Sequence, residues 1–243
     1  RHLAPHQATG VEVLGTGPHA PVKDWQPMLQ QLLQDIRQKH RQPVAGIGHS
    51  LGGILTLWAA VQHPELFDRI ILIDPPIFST RKRYAMHLAR LLRVTHKVIP
   101  PAGKARNRKA VFASRQEAYE QWKNRSLFRS FQPQCLQDYV NFGLRPRQNS
   151  KGFELSVPAW LEYKIFSLTP HKIGDTRPKV PSFFLYSTAR TGVLQKGDLE
   201  WVKSNFSETR FIPFEEGHMF PMENPEKAAA MVKQLLAEKD GGI

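Results

Sequence analysis

The segment Gly48–Gly52 reads Gly-His-Ser-Leu-Gly and places a serine at a spacing that suits nucleophilic chemistry. A predicted strand ends at the first glycine, and an apolar helical stretch starts just after Ser50. A serine on such a sharp turn is lifted out of the sheet, and the backbone N–H of Leu51 points to where an oxyanion would form. We expect glycines here because a side chain two residues before or after Ser50 would collide with the neighbouring strand and helix. The motif predicts Ser50 as nucleophile and Leu51 as an oxyanion donor.

A serine hydroxyl is a poor nucleophile at neutral pH, so a histidine must accept its proton. His218 follows the last predicted strand and precedes a helix that begins at Pro225, with Asn224 as its N-cap. We predict His218 as the general base, in preference to a purely structural role. Other histidines lack this placement and are expected to be exposed or satisfied: His2, His6, His63, His87 and His96.

With these motifs, and with the apolar strand Ile70–Ile73 after the nucleophile helix, the chain resembles the α/β-hydrolase family in its capped serine-hydrolase branch. The resemblance covers nearly all of the chain outside one long insertion. It implies hydrolysis of esters, thioesters or related acyl groups through an acyl-serine intermediate, with no cofactor and no metal. Because the nucleophile position holds serine, the dehalogenase and epoxide-hydrolase members, which attack with aspartate, are excluded.

The acid of the triad departs from the pattern usual in the family. Most members carry it after the strand that follows the cap, where this chain has Arg190, and a guanidinium cannot orient an imidazolium. Some members place the acid at the end of the strand after the nucleophile helix, where Asp74 stands. We predict Asp74 as the acid, although an Asp-Pro pair there can simply cap a turn. Asp198, also a candidate helix N-cap, and then Asp175 are the alternatives.

The elements that must position these residues alternate between strands and helices. Strands are predicted at 10–14, 43–48, 69–73, 182–186 and 209–214, and helices at 24–40, 51–62, 198–205 and 225–238. This pattern predicts an α/β-hydrolase fold with a mostly parallel sheet flanked by helices. Residues 1–75 and 180–243 form the expected core, and residues 76–179, which lack a strong strand signal, form an inserted helical cap.

The front of the chain is short for this family, which normally has several strands before the nucleophile strand and a second oxyanion donor in a loop there. The sequence starts at Arg1 without methionine and offers one strand and one helix before Ser50. We expect further strands and a small-residue oxyanion loop upstream of Arg1. Without them, residues 11–14 would lie at an open sheet edge. The 243-residue form alone would then be poorly soluble or weakly active.

Charge is concentrated in one part of the sequence. The chain carries a net charge of +13, and residues 81–129 hold fourteen basic and two acidic side chains, so this window accounts for nearly all of it. A single cysteine, Cys135, cannot form an intrachain disulfide, and no N-terminal stretch has the pattern of a secretory leader. No apolar run approaches the roughly 20 residues of a spanning helix. We therefore expect a cytoplasmic protein.

The basic cap has several possible partners. Arg83, Arg90, Arg93 and Lys97 can share one helix face, with Leu88, Leu91, Leu92 and Val94 as apolar surface beside it. A solvated face is the plainest interpretation, followed by an anionic substrate or an acidic membrane surface. Nucleic acid ranks last because no binding motif accompanies the charge. The aromatic residues of the cap are expected to pack it and to line an acyl pocket: Phe128, Phe131, Tyr139, Phe142, Trp160, Tyr163 and Phe166.

These observations lead to one leading hypothesis and two alternatives. The leading hypothesis is a serine hydrolase acting on small-molecule carboxylic esters through an acyl-serine intermediate, with Ser50, Asp74 and His218 as its triad. The first alternative keeps the triad and changes the substrate, to a thioester or to a C–C bond. The second is a catalytically impaired hydrolase fold that binds anionic partners through its cap.

Overall fold

A computed structural model describes residues 2–21, 23–92, 94–95, 100–148, 150–168 and 177–238. Within these ranges the central sheet has four parallel strands in the order β1-β2-β6-β7: β1 Val44–His49, β2 Phe67–Ile73, β6 Ser182–Ser187 and β7 Arg210–Phe214. His49 pairs with Ile73, and Ile73 pairs with Leu185, so the carboxyl ends of β1, β2 and β6 lie level. Residues that follow these strands therefore meet at one edge of the sheet.

Helices cover both faces of this sheet: α1 Gln26–Lys39, α2 Leu51–Gln62, α8 Lys196–Asn205, α9 Phe220–Glu223 and α10 Pro225–Ala237. The inner strand β2 contributes side chains to the hydrophobic core on each face of the sheet, because successive side chains of a strand point to opposite faces. Ile70 and Leu72 pack with residues of α1, α2 and α8, whereas Ile71 and Ile73 pack with residues of α10. Residues 70–73 are accordingly buried on both faces of the sheet.

Residues 76–179, called the insert from here on, lie between β2 and β6 and contain five described helices: α3 Thr80–Leu91, α4 Pro100–Arg106, α5 Arg115–Lys123, α6 Pro133–Gly143 and α7 Ala159–Ser167. They also contain a small antiparallel sheet in the order β3-β5-β4: β3 Val111–Phe112, β4 Leu144–Pro146 and β5 Phe153–Leu155. The described part of the insert is mainly helical, as expected, but the sequence did not reveal these three short strands. Strands of two or three residues are too short to show alternation in the sequence, and their pairing depends on side-chain packing.

The predicted strand at residues 10–14 is not present; these residues form loop and turn. The side chain of Gln31 on α1 makes hydrogen bonds to this backbone that a neighbouring strand would otherwise make. Its Oε1 accepts from Gly15 N–H, and its Nε2 donates to the Val13 carbonyl. Lys39 Nζ likewise donates to the Gly10 carbonyl. In the described sheet, the strand at this edge is therefore β1, not residues 11–14, and β7 lies at the opposite edge.

Helix α3 has its faces reversed relative to the prediction. Arg83, expected on a solvated face, is 3% exposed, with its guanidinium over the Trp201 ring and a hydrogen bond to Thr80 Oγ1. The leucines expected to form apolar surface beside it are more than half exposed, at 55% for Leu88, 66% for Leu91 and 63% for Leu92, and so is Tyr84 at 60%. Arg93 and Lys97 lie outside the described residues. In the described ranges, no helix combines the length and the apolar character needed to cross a membrane.

Candidate active site

The turn between β1 and α2 holds Ser50 in a strained backbone conformation, with φ 53° and ψ −118°. Its N–H donates to the carbonyl of Ile73 on β2, at 2.9 Å, which ties the turn to the neighbouring strand. Leu51 is the first residue of α2, so its N–H has no acceptor within the helix. The geometry leaves the Ser50 side chain at a helix N-terminus, half-buried rather than enclosed.

Two glycines around this turn differ from each other. A Cβ at Gly48 would collide with the backbone of Gly52 and Gly53, as predicted. A Cβ at Gly52 would meet no described atom within 4 Å apart from its chain neighbours and its own helix backbone, so the predicted collision there was wrong. The second crowded position is Gly53, where a Cβ would lie 2.9 Å from the Gly48 carbonyl oxygen and 3.0 Å from Pro75 Cβ. The first turn of α2 directs position 53, not 52, against β1.

Ser50, His218 and Asp74 are joined by hydrogen bonds although 168 and 144 residues separate His218 from the other two. His218 Nε2 lies 3.1 Å from Ser50 Oγ, and His218 Nδ1 lies 2.7 Å from Asp74 Oδ2. An ionised carboxylate can only accept, so the proton sits on Nδ1 and Nε2 is left to accept from the serine hydroxyl. Asp74 is fully buried, whereas the His218 side chain keeps one fifth of its surface exposed.

Asp74 adopts a positive φ of 42° directly after β2, which turns its carboxylate towards the segment after β6. Oδ1 accepts from Ser187 N–H at 3.2 Å, and Oδ2 accepts from Val193 N–H at 3.4 Å. This segment includes the exposed Arg190, the position where most relatives in this fold were expected to carry the acid. Here the segment supplies backbone donors that stabilise the charge of Asp74 instead.

The other acid candidates do not join this group. Asp198 Oδ1 accepts from Ser79 N–H and its Oδ2 from Lys82 Nζ, at 3.1 and 2.8 Å. Burial raises the pKa of Asp198, but the hydrogen bonds from Lys82 and Ser79 outweigh it and leave the pKa below its usual value. Asp198 thus ties the start of α3 to α8, whose N-cap is Gln195. Asp175 lies outside the described residues.

The loop that carries His218 is fixed on both sides by residues to which the sequence assigned no role. Gly217 N–H donates to Glu223 Oε2 at 2.9 Å, and Ser187 Oγ donates to the Glu216 carbonyl at 2.6 Å. Asn224 Nδ2 donates to the Glu216 carboxylate and also caps α10, as predicted. A polar residue at the end of β6 and a carboxylate six residues after Gly217 were the available signals, but neither spacing is specific.

His49, the residue between Gly48 and Ser50, was also missed. Its Nε2 lies 2.9 Å from the carbonyl oxygen of His218, and the two imidazole rings are 4.9 Å apart, tilted by 34°. Burial, and then the positive charge of His218, lower the pKa of His49 to about 4. The sequence placed it as the variable position of the motif, so nothing distinguished it from a spacer.

Comparison with known proteins bears on the family and the fold of the chain. The model of the "Alpha/beta hydrolase family" matches residues 1–231. The chain belongs to this family. It is 30% identical over 91 residues to the sn-1-specific diacylglycerol lipase ABHD11 of Danio rerio, covering 34% of this chain and 29% of that protein. It is 39% identical over 46 residues to the type I acyl-CoA thioesterase mpaH of Penicillium roqueforti, covering 19% of this chain and 11% of that one. These matches span less than a third of either relative.

Solved structures share the fold of this α/β hydrolase. E-2-(acetamidomethylene)succinate hydrolase superposes with a TM-score of 0.70 at 13% identity, covering 91% of this chain and 76% of that one. The predicted family and fold are confirmed. The expectation of an enzyme of this family is supported, since its relatives are a lipase and a thioesterase.

The insert of this hydrolase touches the loop of His218. Met219 and Met222 pack against an aromatic cluster that includes Trp122, Phe128 and Tyr139. Gln132 N–H, at the start of α6, donates to the Met222 carbonyl at 2.9 Å. Phe128, Phe131 and Tyr139 thus pack the insert as expected, but Phe142 and Trp160 are largely exposed and do not.

Proposed function

We propose that this α/β hydrolase cleaves carboxylic esters through an acyl-serine intermediate. Ser50 is the nucleophile, His218 the general base and then acid, Asp74 the group that orients and stabilises His218, and the Leu51 N–H an oxyanion donor. The observation that carries this proposal is the unbroken pair of hydrogen bonds from Ser50 Oγ to Nε2 and from Nδ1 to Asp74. This arrangement is that of a serine-hydrolase triad.

In the acylation step, Ser50 Oγ attacks the ester carbonyl carbon while its proton passes to His218 Nε2. The carbonyl oxygen becomes an oxyanion against the Leu51 N–H. The C–O bond to the alcohol then breaks, and the alkoxide leaves with the proton from Nε2. Water, deprotonated by the same nitrogen, attacks the acyl-serine, and the carboxylic acid departs as the proton returns to Ser50.

Short-chain p-nitrophenyl esters and a fluorophosphonate probe test this proposal. The wild-type chain is expected to hydrolyse the esters and to take up one probe, and Ser50→Ala is expected to lose the labelling and on the order of 10⁵ to 10⁶ in kcat. Ser182→Ala is the matched control, since Ser182 bonds Thr209 Oγ1 at the opposite end of β6. Labelling that survives Ser50→Ala would remove Ser50 from the mechanism.

A thioester is the second candidate substrate, because one relative is an acyl-CoA thioesterase and the insert is strongly basic. A polyphosphate leaving group would be attracted by that charge, and the attraction would weaken with salt. Assays of an acyl-CoA and of the ethyl ester of the same acid distinguish a thioesterase from an esterase. A KM that is lower for the thioester and rises steeply between low and high ionic strength favours the thioesterase. A C–C bond hydrolase is favoured if only a diketone is cleaved.

We propose that the insert acts as a cap beside the site and rests on an anionic lipid surface through α3. The contact of its aromatic cluster with Met219 and Met222 supports the first part. The lipid contact is supported by an exposed apolar stripe on α3, formed by Tyr84, Leu88 and Leu91 and continued by Leu92 directly after the helix. No acidic residue lies on α3. Apolar side chains beside cations are typical of helices that lie in the headgroup region.

Vesicle sedimentation tests the lipid surface. Binding is expected to phosphatidylglycerol vesicles, to fall with salt, and to be lost in Leu88→Asp, while Phe142→Asp on α6 serves as an exposed apolar control. Equal binding to phosphatidylcholine, or preferential competition by RNA, contradicts the proposal. If the fluorophosphonate never labels the chain while binding to the anionic vesicles persists, the chain is an impaired hydrolase that binds through its insert.

A further inference from the structure

His49 is the one imidazole besides His218 in the hydrogen-bonded group around Ser50, within the described chain, and the mechanism above gives it no task. It ends β1 and directly precedes Ser50, whereas His218 belongs to a loop after β7. A backbone carbonyl can only accept, so His49 Nε2 carries the hydrogen and donates it to the His218 oxygen. The donor is therefore aimed at the residue proposed as general base.

This contact closes a ring of interactions. Ser50 meets the side chain of His218 at 3.1 Å, and its neighbour His49 meets the backbone of the same residue at 2.9 Å. Adjacent residues of one turn thus hold both ends of His218. Proton transfer depends on the Oγ to Nε2 distance, and a misplacement of about 1 Å in an active site can reduce the rate by about 100-fold.

The charge state of His49 suits this position. A second cation beside His218 would oppose its protonation during the reaction, but burial and the charge of His218 itself favour a neutral His49. The His49 ring, 4.9 Å away, then packs against an imidazolium without repelling it.

We propose that His49 is a positioning residue that holds the His218 backbone, through its Nε2–H, at the distance at which His218 can exchange a proton with Ser50. The proposal rests on the proposed function, since it assigns a role within that mechanism. His49 touches no reacting atom itself.

Two variants separate the hydrogen bond from the ring contact. His49→Phe keeps a ring and loses the donor, whereas His49→Gln loses the ring and keeps an N–H donor three bonds from Cβ, as in Nε2 of histidine. Activity is expressed per serine titrated with fluorophosphonate, so that a smaller folded fraction does not count as slower chemistry. We expect kcat to fall about tenfold or more in His49→Phe with KM within about twofold, and His49→Gln to recover most of the loss.

A second measurement does not need a substrate. Amide hydrogen exchange of residues 215–220 should accelerate in His49→Phe and stay near the wild-type rate in His49→Gln and in Ser182→Ala. Unchanged kcat per titrated serine and unchanged exchange in His49→Phe overturn the proposal, and so does a glutamine variant no better than phenylalanine in both readouts. If the wild type neither reacts with the probe nor hydrolyses any acyl substrate, the proposed function fails, and the exchange rates alone then decide the role of His49.

Discussion

The sheet and the insert position their polar residues in different ways. At the sheet, each residue of the candidate site follows the carboxyl end of a parallel strand: Ser50 after β1, Asp74 after β2 and His218 in the loop after β7. In the insert, polar residues are placed by side-chain packing, as where Arg108 bonds Glu162 and Tyr139 beside the Trp122 ring. The positions of strand ends are determined by the backbone hydrogen bonds of the sheet, whereas the positions of such side-chain networks depend on the packing of all neighbouring side chains.

The largest effect that tests this comparison is expected at Asp74. Asp74→Asn is expected to lower kcat by about 10³ to 10⁴ while the fold stays intact, because the amide disturbs the tautomer and the charge environment of His218. Steady-state hydrolysis of a p-nitrophenyl ester measures the loss, and far-ultraviolet circular dichroism checks the fold.

Asp198→Asn is the control for that experiment. Asp198 is nearly as buried as Asp74 but bonds Ser79 and Lys82 of the insert, so its replacement should change kcat little. If Asp198→Asn lowered kcat strongly and Asp74→Asn did not, the acid of the triad would not be Asp74.

The next effect concerns stability at the Ser50 turn. Gly48→Ala is expected to destabilise the fold by about 3 kcal/mol or more, because its Cβ has no space against the backbone of α2. Gly52→Ala, in open space on a helix, should instead be neutral or stabilise by about 0.5 to 1 kcal/mol. Urea unfolding of both variants measures the difference. A Gly52→Ala variant as unstable as Gly48→Ala would restore the collision predicted there from the motif.

The sequence predicted β1, β2, β6 and β7 and the helices that flank them because their apolar patterns and their glycine and proline boundaries are local signals. The grouping of Ser50, Asp74 and His218 could be anticipated because parallel strands bring their ends together. By contrast, the loop predicted as a strand at residues 10–14 is held by the side chain of Gln31, and Arg83 is buried over Trp201. Both depend on partners far away in sequence, so no local pattern shows them.

A smaller effect tests how the insert is tied to the sheet domain. Lys82→Met is expected to destabilise the fold by about 1 to 2 kcal/mol, since it leaves the Asp198 carboxylate buried without its cation. Lys196→Met is the control, because the Lys196–Glu200 pair is highly exposed and contributes little. Thermolysin digestion should cleave α3 faster in Lys82→Met only. Equal digestion of the two variants would show that this pair does not hold α3.

The last effect is a pH dependence at His49, which lies on the sheet side of the comparison. In the unfolded chain its pKa is about 6.5, and in the folded protein it is lowered to about 4. Above pH 6.5 His49 is neutral in both the folded and the unfolded state. Between pH 6.5 and 4 only the unfolded state takes up the proton, so the free energy of unfolding decreases as the pH is lowered. Relative to His49→Gln, which does not titrate, the wild type should lose about 2 kcal/mol more between pH 7 and pH 5, as measured by urea unfolding. Carboxylates titrate alike in both proteins and cancel in this difference. Parallel stability curves for the two would mean that the imidazole of His49 takes up a proton as readily in the folded protein as in water.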